Sequence, residues 1–390
     1  MHIKIYVAAG LLAVGLMAAV APTPASAISL PTSEKTSAND DLAAVSQLTG
    51  LAGADASSFA DLQSAVESIG SQLSANSAVT AFWIEPDGGG SLVIGLRDLR
   101  DSSAVLARLP EALRPKAKFI QQQYSESELG AAASAVAGTY AKAGTPAYGS
   151  VDVRAQQASV TLDKNAAARS QPLSSSAVSI TVGNGVVPVT VSVGDVPTPA
   201  ASIYAGLVGT ACTTGFTVVH TSGSRGVTTA AHCGNSQTVS GVALTFKFEW
   251  QYGSADVQWH SATGQTFRNW AYDGLNDQTT PYYRVISGKI PRLSLVIGGT
   301  YCKYGKTTGY GCGTLASRVE TPSWVNNASP TFLAIDNPSQ VISLGGDSGG
   351  PTFSGGSAVG LVSGTSNSGH RLVSMSMDGF AGLGITVATS

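Results

Sequence analysis

Two kinds of hydrophobic pattern divide the chain near its middle. In the first half, apolar residues recur at helical spacing over 58–73, which predicts an amphipathic helix. Short apolar runs at Ala81–Ile84 and Ser91–Ile94 flank a glycine-rich turn and predict a pair of strands. The preceding stretch 28–57 is rich in Ser, Ala, Thr and Asp, so we expect little ordered structure there.

A second helix and a second pair of strands are predicted before residue 165. Ser125 and Glu128 have the spacing of a capping box, which predicts a helix that continues to about Tyr140. Residues 150–154 and 159–162 predict the strands. Residues 165–200 contain prolines and few charges, which indicates a linker with extended segments. The first half is therefore an α+β segment.

The second half has the pattern of an all-β protein. Short apolar runs are separated by Gly, Ser, Thr and Asn, and no stretch has the period of an amphipathic helix. The runs are Gly215–His220, Gly226–Ala230, Val242–Phe248, Ser294–Ile297, Ala358–Val362 and Gly384–Val387. Many short strands with turn residues between them predict a β-barrel or a β-sandwich.

The first 27 residues have the pattern of a secretory signal peptide. His2 and Lys4 give the chain a basic start, and Val7–Val20 is an apolar run. Ala25-Ser26-Ala27 has the small-x-small pattern of a signal peptidase cleavage site. The alternative is a membrane anchor, but the run is short for a span of roughly 20 residues. We expect a secreted, extracellular protein without a stable membrane anchor, and export favours disulfides.

Composition narrows the class of protein. The chain has 390 residues, a formal net charge of −2, 12% charged and 43% hydrophobic residues. The balanced charge argues against a nucleic-acid partner, and the apolar content excludes a disordered or collagen-like chain. The length suits two or three domains. All four cysteines lie in the second half.

Three segments of the second half carry residues for nucleophilic catalysis. They are Gly226–Cys233, which contains His232; Gly253–Trp259, which contains Asp256; and Gly345–Pro351, which contains Ser348. A serine hydroxyl becomes a nucleophile when an imidazole takes its proton, and a carboxylate holds that imidazole in the required tautomer. A single Gly-Asp-Ser-Gly is a common turn, but these segments in this order predict acyl transfer.

These segments, together with Cys302–Gly313, resemble the chymotrypsin-fold serine proteases, specifically the bacterial branch of α-lytic protease and the streptogrisins. The similarity covers about residues 203–390. It implies two six-stranded β-barrels with the active site between them. By this resemblance His232 is the general base, Asp256 orients it, and Ser348 is the nucleophile. The backbone N–H groups of Gly346 and Ser348 would form the oxyanion hole.

Two other aspartates compete with Asp256 for the role of the carboxylate. Asp273 and Asp277 also lie between the histidine and the serine, in a polar loop. Asp256 begins an apolar, strand-like run, as the aspartate of the family does, and is therefore favoured.

The resemblance also implies how the cysteines pair. It selects Cys212–Cys233 and Cys302–Cys312 from the three possible connectivities. Zinc is the competing interpretation, but no Cys-x-x-Cys occurs and the histidines are scattered, so we expect no metal and no cofactor. We expect His220, His260 and His370 to be surface or packed residues.

A second structural feature concerns Asp347, which precedes the nucleophile. In the related bacterial enzymes its carboxylate pairs with an arginine, and the matching position here is Lys303. A buried carboxylate needs a partner, so we expect an ion pair between Lys303 and Asp347. The alternative is a solvated lysine.

Substrate preference is less well defined by the sequence, because the related enzymes have a further disulfide beside the nucleophile that this chain lacks. The resemblance assigns Ser363, Gly364 and Thr365 to binding of the substrate backbone. Ile342-Ser343-Leu344 supplies no negative charge, so we expect an apolar P1 side chain. Thr365 replaces a glycine of the streptogrisins, which favours small or medium side chains.

The first half occupies the place of a pro-region, which in this family guides folding, inhibits the enzyme and is then removed. We expect a signal peptide at 1–27, a pro-region with linker at 28–195 and a protease domain at 196–390, with the junction at about 165–203. The alternative for the first half is a permanent binding module.

The whole chain is thus predicted to be a secreted serine endopeptidase that acts on proteins or peptides as a monomer and is transiently inhibited by its own pro-region. An alternative is a catalytically silent homologue that binds peptides or surfaces. A third possibility keeps the triad but hydrolyses esters.

Overall fold

The computed structural model describes residues 38–142, 145, 147–163, 176–182, 185–194, 198–199, 212–239, 242–272 and 283–389. The predicted signal peptide and the alternative residues Asp273 and Asp277 lie outside these ranges. Among the described residues, no helix has the length and apolar character needed to cross a membrane.

The N-terminal region, up to residue 199, contains all four helices of the described chain. They are α1 (Ala38–Thr49), α2 (Gly53–Ala75), α3 (Ser102–Arg108) and α4 (Glu126–Lys142). Its strands are β1 (Val79–Glu85), β2 (Ser91–Leu96), β3 (Ala117–Gln121), β4 (Ala147–Asp152), β5 (Gln157–Asp163), β6 (Ser176–Val182), β7 (Gly185–Gly194) and β8 (Thr198–Pro199).

The C-terminal region consists of strands and short 3-10 turns in its described residues. The strands of the first barrel and its connections are β9 (Thr217–His220), β10 (Arg225–Thr229), β11 (Thr238–Val239), β12 (Val242–Ala243), β13 (Thr245–Tyr252), β14 (Ala255–Ser261), β15 (Trp270–Tyr272), β16 (Tyr283–Val285) and β17 (Gly288–Lys289). The remaining strands are β18 (Thr300–Gly305), β19 (Gly309–Glu320), β20 (Phe332–Asp336), β21 (Pro351–Ser354), β22 (Ser357–Ser366), β23 (Arg371–Ser376) and β24 (Ile385–Val387).

The helix α2 covers the three-stranded sheet β1-β2-β3, and the predicted helix over 58–73 lies within it. The expectation of little order over 28–57 is wrong for its described part, because α1 and the start of α2 occupy it. The apolar side chains of α1 explain the difference: Ala44 and Val45 are buried, Val45 in the same core as α2. Such short apolar stretches gain order from tertiary packing more than from their own propensity.

The capping box predicted at the start of α4 is confirmed. The backbone N–H of Ser125 donates to the Glu128 carboxylate at 2.8 Å, and the N–H of Glu128 donates to Ser125 Oγ at 3.3 Å. The helix packs on a second sheet with the strand order β4-β5-β7-β6.

The predicted linker over 165–200 is wrong for residues 176–182 and 185–194. These residues form β6 and β7, and β7 pairs in parallel with β5 in the N-terminal sheet. Val187, Val189 and Val191 alternate along β7 and are buried in the core beneath α4. Few charges and a proline indicated a linker, but this alternation of valines is a strand pattern.

The C-terminal region has the predicted all-β architecture, a trypsin-like pair of barrels preceded by a smaller α+β region. Six strands close the second barrel in the order β22-β21-β18-β19-β20-β23, with β23 pairing back to β22. The first barrel contains the five-stranded sheet β13-β14-β10-β9-β24. Its outermost strand comes from near the end of the chain, because Val387 of β24 pairs with Val218 of β9.

The run Ser294–Ile297 does not form the predicted strand. Ser294 ends a 3-10 turn, and Ile297 makes a single bridge to Trp83 of the N-terminal region. The carbonyl of Ile297 accepts the backbone N–H of Ile84 at 2.9 Å. The run Ser294–Ile297 is therefore apolar because it is buried against the N-terminal region.

Two buried arginines of the C-terminal region have their carboxylate partners in the N-terminal region. Arg318 donates to Glu126 at 3.0 Å, and Arg284 donates to Asp41 at 2.8 Å. The side chains of both arginines are 1% exposed. Because each arginine loses water on burial, it depends on its carboxylate partner in the N-terminal region.

Candidate active site

The candidate base His232 lies in a 3-10 turn, Ala231–Cys233, that follows strand β10. A disulfide between Cys212 and Cys233 holds this turn, and the second disulfide joins Cys302 to Cys312. Both bonds have the pairing that the resemblance implies.

The same strand that carries Asp256 also fixes the histidine turn. Gln258 in β14 donates from Nε2 to the carbonyl oxygens of Ala230 at 2.8 Å and Gly234 at 3.1 Å, on either side of the turn. Asp256 lies two residues earlier in this strand. The positions of the histidine and the aspartate are therefore set by one structural element.

Asp256 contacts the histidine through both carboxylate oxygens. Its Oδ2 lies 2.8 Å from His232 Nδ1, and its Oδ1 accepts the backbone N–H of His232 at 3.3 Å. The Asp256 side chain is fully buried. This contact holds the proton on Nδ1, so that Nε2 is free to accept another.

The pKa values of this pair move apart. Burial by itself would raise the pKa of Asp256, but the charge of His232 and hydrogen bonds from His232 and Ser363 lower it below its ordinary value. Burial would likewise lower the pKa of His232, but the Asp256 charge and hydrogen bond outweigh burial and raise it. Asp256 is therefore held in its ionised form, and His232 accepts a proton more readily than a free histidine does.

Two residues extend this contact and were not found from the sequence in this role. Ser363 donates from Oγ to Asp256 Oδ2 at 2.5 Å, and Trp324 donates from Nε1 to Ser363 Oγ at 3.0 Å. The resemblance had assigned Ser363 to the substrate backbone. Trp324 belongs to a connecting segment without a motif, so no sequence signal indicated it.

The candidate nucleophile Ser348 lies in the loop before strand β21 and is fully buried. Its backbone carbonyl accepts the N–H of Thr213 at 2.9 Å. Gly349 follows with φ +81°, and a Cβ at that position would lie 2.1 Å from Thr229 Oγ1. Only glycine therefore permits this close approach of the loop to the first barrel.

The atoms expected to exchange the proton are shielded from solvent. His232 Nε2 is buried and has no hydrogen-bond partner among the described residues. Gly346, the candidate oxyanion donor, has φ +99°, a conformation that strongly favours glycine. The hydroxyl of Thr213 donates to the Gly346 carbonyl at 2.9 Å and is a further contact that the sequence did not indicate.

Asp347 and Lys303 are both fully buried, with 3.4 Å between Lys303 Nζ and Asp347 Oδ2. Burial lowers the pKa of Lys303 to about 8, although the charge of Asp347 and its hydrogen bond oppose this shift. Lys303 Nζ also donates to the Gly309 carbonyl at 2.9 Å.

Hydrogen bonds from two further segments hold the Asp347 carboxylate. Oδ1 accepts the backbone N–H groups of Thr307 at 2.7 Å and Thr308 at 3.1 Å. Oδ2 accepts Thr308 Oγ1–H at 2.7 Å and the N–H of Leu344 at 2.9 Å. These charge-assisted bonds supplement the long ion pair and fix the residue before the candidate nucleophile.

The residues assigned to the substrate backbone lie in strand β22. Thr365 Oγ1 lies 3.0 Å from the Ser343 carbonyl and 3.0 Å from the Arg371 carbonyl, so it spans the segments on its two sides. Gly364 and Thr365 pair in antiparallel fashion with Pro199 and Thr198 of β8.

Among the residues that the structure describes, the remaining candidate ligands form no metal site. Cys212, His232 and Cys233 lie close together, but both cysteines are in a disulfide and offer no thiolate. His260 is fully buried, and burial lowers its pKa to about 4. His220 stacks on Trp259 and His370 contacts the Asn337 carbonyl at 3.0 Å, as expected for packed residues.

The two-barrel fold and the motifs that line it define the class of chymotrypsin-fold serine proteases. The chain is similar to bacterial members of streptogrisin type. It is 30% identical to streptogrisin-C of Streptomyces griseus over 159 residues, which are 40% of this chain and 32% of that protein. The match thus spans about a third of the length of streptogrisin-C. No family model matches the chain.

Solved structures of similar proteins align with about half of the chain. The Nocardiopsis protease NAPase is 26% identical, covers 48% of this chain and 100% of its own, and gives a TM-score of 0.41. Thermobifida fusca protease A is 24% identical, covers 49% of this chain and 98% of its own, and gives a TM-score of 0.38.

Proposed function

We propose that the chain is a secreted serine endopeptidase made as an inactive precursor, with His232, Asp256 and Ser348 as its catalytic triad. The observation that carries the proposal is the 2.8 Å contact between His232 Nδ1 and the buried Asp256. This contact prepares Nε2 to act as a general base. The glycine-rich loop that presents Ser348 supports the assignment of the nucleophile.

In the first half of the reaction, Ser348 Oγ attacks the carbonyl carbon of the scissile peptide bond while His232 Nε2 takes the hydroxyl proton. The carbonyl oxygen becomes negative and receives hydrogen bonds from the N–H groups of Gly346 and Ser348. His232 then gives the proton to the leaving amine as the C–N bond breaks, which leaves an acyl ester on Ser348.

In the second half, water attacks the ester and His232 removes its proton. Breaking the bond to Ser348 releases the carboxylic acid product and returns the proton to Ser348 Oγ. Asp256 stays ionised throughout, which agrees with its lowered pKa, and stabilises the imidazolium in both steps.

The N-terminal region is proposed to be a pro-region that inhibits the precursor. The pairing of Thr198–Pro199 with Gly364 and Thr365 supports this, because it occupies the strand edge assigned to the substrate backbone. The charged contacts of Arg318 and Arg284 with this region support a tight association. The strands β6 and β7 shift the proposed junction to the C-terminal side of residue 194.

The proposed P1 side chain is apolar and small or medium in size. Ile342 and Ser343 are buried and uncharged, so this wall offers no counter-charge to lysine or arginine. The contacts of the Thr365 hydroxyl with the Ser343 and Arg371 carbonyls favour a narrow pocket. Peptide substrates that differ only at P1 would test this; a preference for Lys or Arg, or for Phe or Tyr, would contradict it.

The decisive experiment compares wild type and Ser348→Ala by intact mass and N-terminal sequence of the protein found outside the cell. We expect wild type as a fragment of about half length and the alanine variant either as the 28–390 chain or bound to its N-terminal region. This result would support secretion, precursor processing and Ser348 together.

Two other outcomes would change the proposal. If neither variant is cut, the pro-region assignment fails and a peptide-binding homologue is favoured. If both are cut alike, another protease matures the chain, and labelling with a phosphonate probe decides whether Ser348 is reactive.

A further inference from the structure

An indole N–H continues the hydrogen-bond chain behind the candidate triad. Trp324 Nε1 lies 3.0 Å from Ser363 Oγ, which lies 2.5 Å from Asp256 Oδ2, which lies 2.8 Å from His232 Nδ1. Ser363 and Asp256 are fully buried, so the contact between them is shielded from bulk water, while Trp324 is half-buried. The proposed roles of His232 and Asp256 depend on the contact between these two residues. The hydrogen bond from Trp324 to Ser363 is additional, and those roles do not explain it.

The donors and acceptors fix the direction of this chain. An indole N–H can only donate, so the Ser363 oxygen must accept from Trp324. The single hydroxyl hydrogen of Ser363 is then directed to the Asp256 carboxylate, which can only accept when ionised. A hydroxyl that accepts one hydrogen bond donates a stronger one, because successive bonds polarise each other.

The backbone around Trp324 is anchored to the hairpin that carries Asp256. Gln251 Nε2 in β13 donates to the Trp324 carbonyl at 3.1 Å. The N–H of Gly253, between β13 and β14, donates to the Asn326 carbonyl at 2.9 Å, and the Gly253 carbonyl accepts the N–H of Ser329 at 2.9 Å. This segment follows β19 of the second barrel, so it joins the two barrels directly beside the aspartate.

We propose that Trp324 is a positioning residue of the catalytic site, whose indole N–H holds the Ser363 hydroxyl in the rotamer that donates to Asp256. This inference rests on the proposed serine protease function. Through the Ser363 hydroxyl, Trp324 would help to stabilise the negative charge of Asp256 beside His232.

Removal of the indole N–H has a defined consequence. The Ser363 hydroxyl can then turn away from Asp256, and the carboxylate loses a hydrogen bond that stabilises its negative charge. The more basic carboxylate holds the imidazolium of His232 more strongly, which raises the pKa of the histidine. The charged groups that act on each other here are His232 and Asp256, with Ser363 as the uncharged donor.

The test is a double-mutant cycle on the processed enzyme, with kcat/KM for a peptide amide measured across pH. In Trp324→Phe we expect kcat/KM at neutral pH to fall about fivefold, in line with the loss of one hydrogen bond, and the acidic limb to move to higher pH. Ser363→Ala should shift the limb in the same direction. Adding Trp324→Phe to Ser363→Ala should then shift it no further.

The matched control is Trp250→Phe, because Trp250 lies in β13, the strand to which the Trp324 segment is anchored, but its ring packs over Gly382. It should leave the pH profile in place. If Trp324→Phe leaves the limb where it is in wild type, or moves it equally in the Ser363→Ala background, the inference is wrong. A wild type without Ser348-dependent hydrolysis would instead refute the proposed function.

A second measurement avoids any dependence on folding of the tryptophan variant. In the full chain with Ser348→Ala, the five tryptophans give separate indole N–H signals in a nitrogen-15 NMR spectrum. Ser363→Ala should move one of these signals to higher field, as expected when an N–H loses its acceptor. An unchanged set of signals would contradict the hydrogen bond.

Discussion

The hydroxyl of Thr213 donates to the carbonyl oxygen of Gly346 at 2.9 Å, across the boundary between the first barrel and the nucleophile loop. Thr213 is fully buried, and its backbone N–H donates to the Ser348 carbonyl at 2.9 Å. One residue therefore holds the loop on both sides of Asp347.

Thr213→Val removes this hydroxyl with little change of shape. We expect kcat/KM to fall about tenfold, mainly in kcat, because Gly346 loses a donor that fixes the oxyanion peptide. Thr213→Ser keeps the hydroxyl and should retain activity within about twofold. Equal losses in the two variants would indicate that packing of the methyl group, rather than the hydrogen bond, is what matters.

Lys303→Met should destabilise the protein, because it leaves the buried Asp347 carboxylate without its cation. We expect a loss of roughly 3 kcal/mol in the free energy of unfolding, the range for breaking a buried pair. Lys303→Arg, which keeps the charge, is the matched control. Thermal unfolding in the Ser348→Ala background measures the stability of both variants; if Lys303→Met leaves that stability unchanged, the pair has no structural role.

Glu126→Gln tests the contact between Arg318 and the N-terminal region. The Arg318 guanidinium also lies 4.5 Å from the Phe82 ring and donates to the Leu295 carbonyl at 2.7 Å, so it has no route to water. We expect the uncut chain to lose about 3 kcal/mol of stability in denaturant unfolding. The exposed pair of Asp98 with Arg100 provides a control, and Asp98→Asn should cause no measurable loss.

The stability of the uncut chain should fall as pH rises from mildly acidic to about 8. Glu320 of β19 is fully buried beneath Tyr148 and Ser150 of β4. Burial raises the pKa of Glu320 from 4.5 to about 8; the charge of Asp336 adds to this, and that of Arg371 opposes it.

Between these values the folded state holds a proton that the unfolded state releases, so the stability is present at low pH and lost as pH rises through 8. One such group gives a slope of at most about 1.4 kcal/mol per pH unit. Denaturant unfolding of the Ser348→Ala chain across pH measures the slope, and Glu320→Gln should flatten it. An unchanged slope in Glu320→Gln would assign the pH dependence to other groups.

Local signals predicted the parts of the fold in which the sequence and the tertiary structure agree. Two examples are the capping box of Ser125 and Glu128 and the apolar spacing in α2. Each of these patterns depends only on residues that are close together in the sequence. The all-β architecture of the C-terminal region was predicted in the same way, from short apolar runs and turns. The motifs also assigned His232 and Asp256 to the same candidate site, and the structure places the two side chains in contact.

The rest depended on partners that are distant in sequence. Residues 185–194 form a strand because β5 offers a pairing edge, and residues 176–182 pair with that strand in turn. Ser294–Ile297 is apolar because Trp83 and Ile84 cover it. Trp324 reaches Ser363 only because the chain between β19 and β20 turns toward the β13 hairpin. These contacts join residues that are far apart in the sequence. A local sequence pattern therefore could not predict them, and they became evident only in the folded structure.

The strand β24 has a consequence for the time at which the candidate active site can form. It is the last strand of the described chain, yet it pairs with β9 at the front of the barrel that carries His232 and Asp256. Contacts between such distant segments form slowly, since a long loop must close first. The barrel therefore stays incomplete until Ile385–Val387 have paired with β9, which makes the arrangement of His232 and Asp256 a late event in folding.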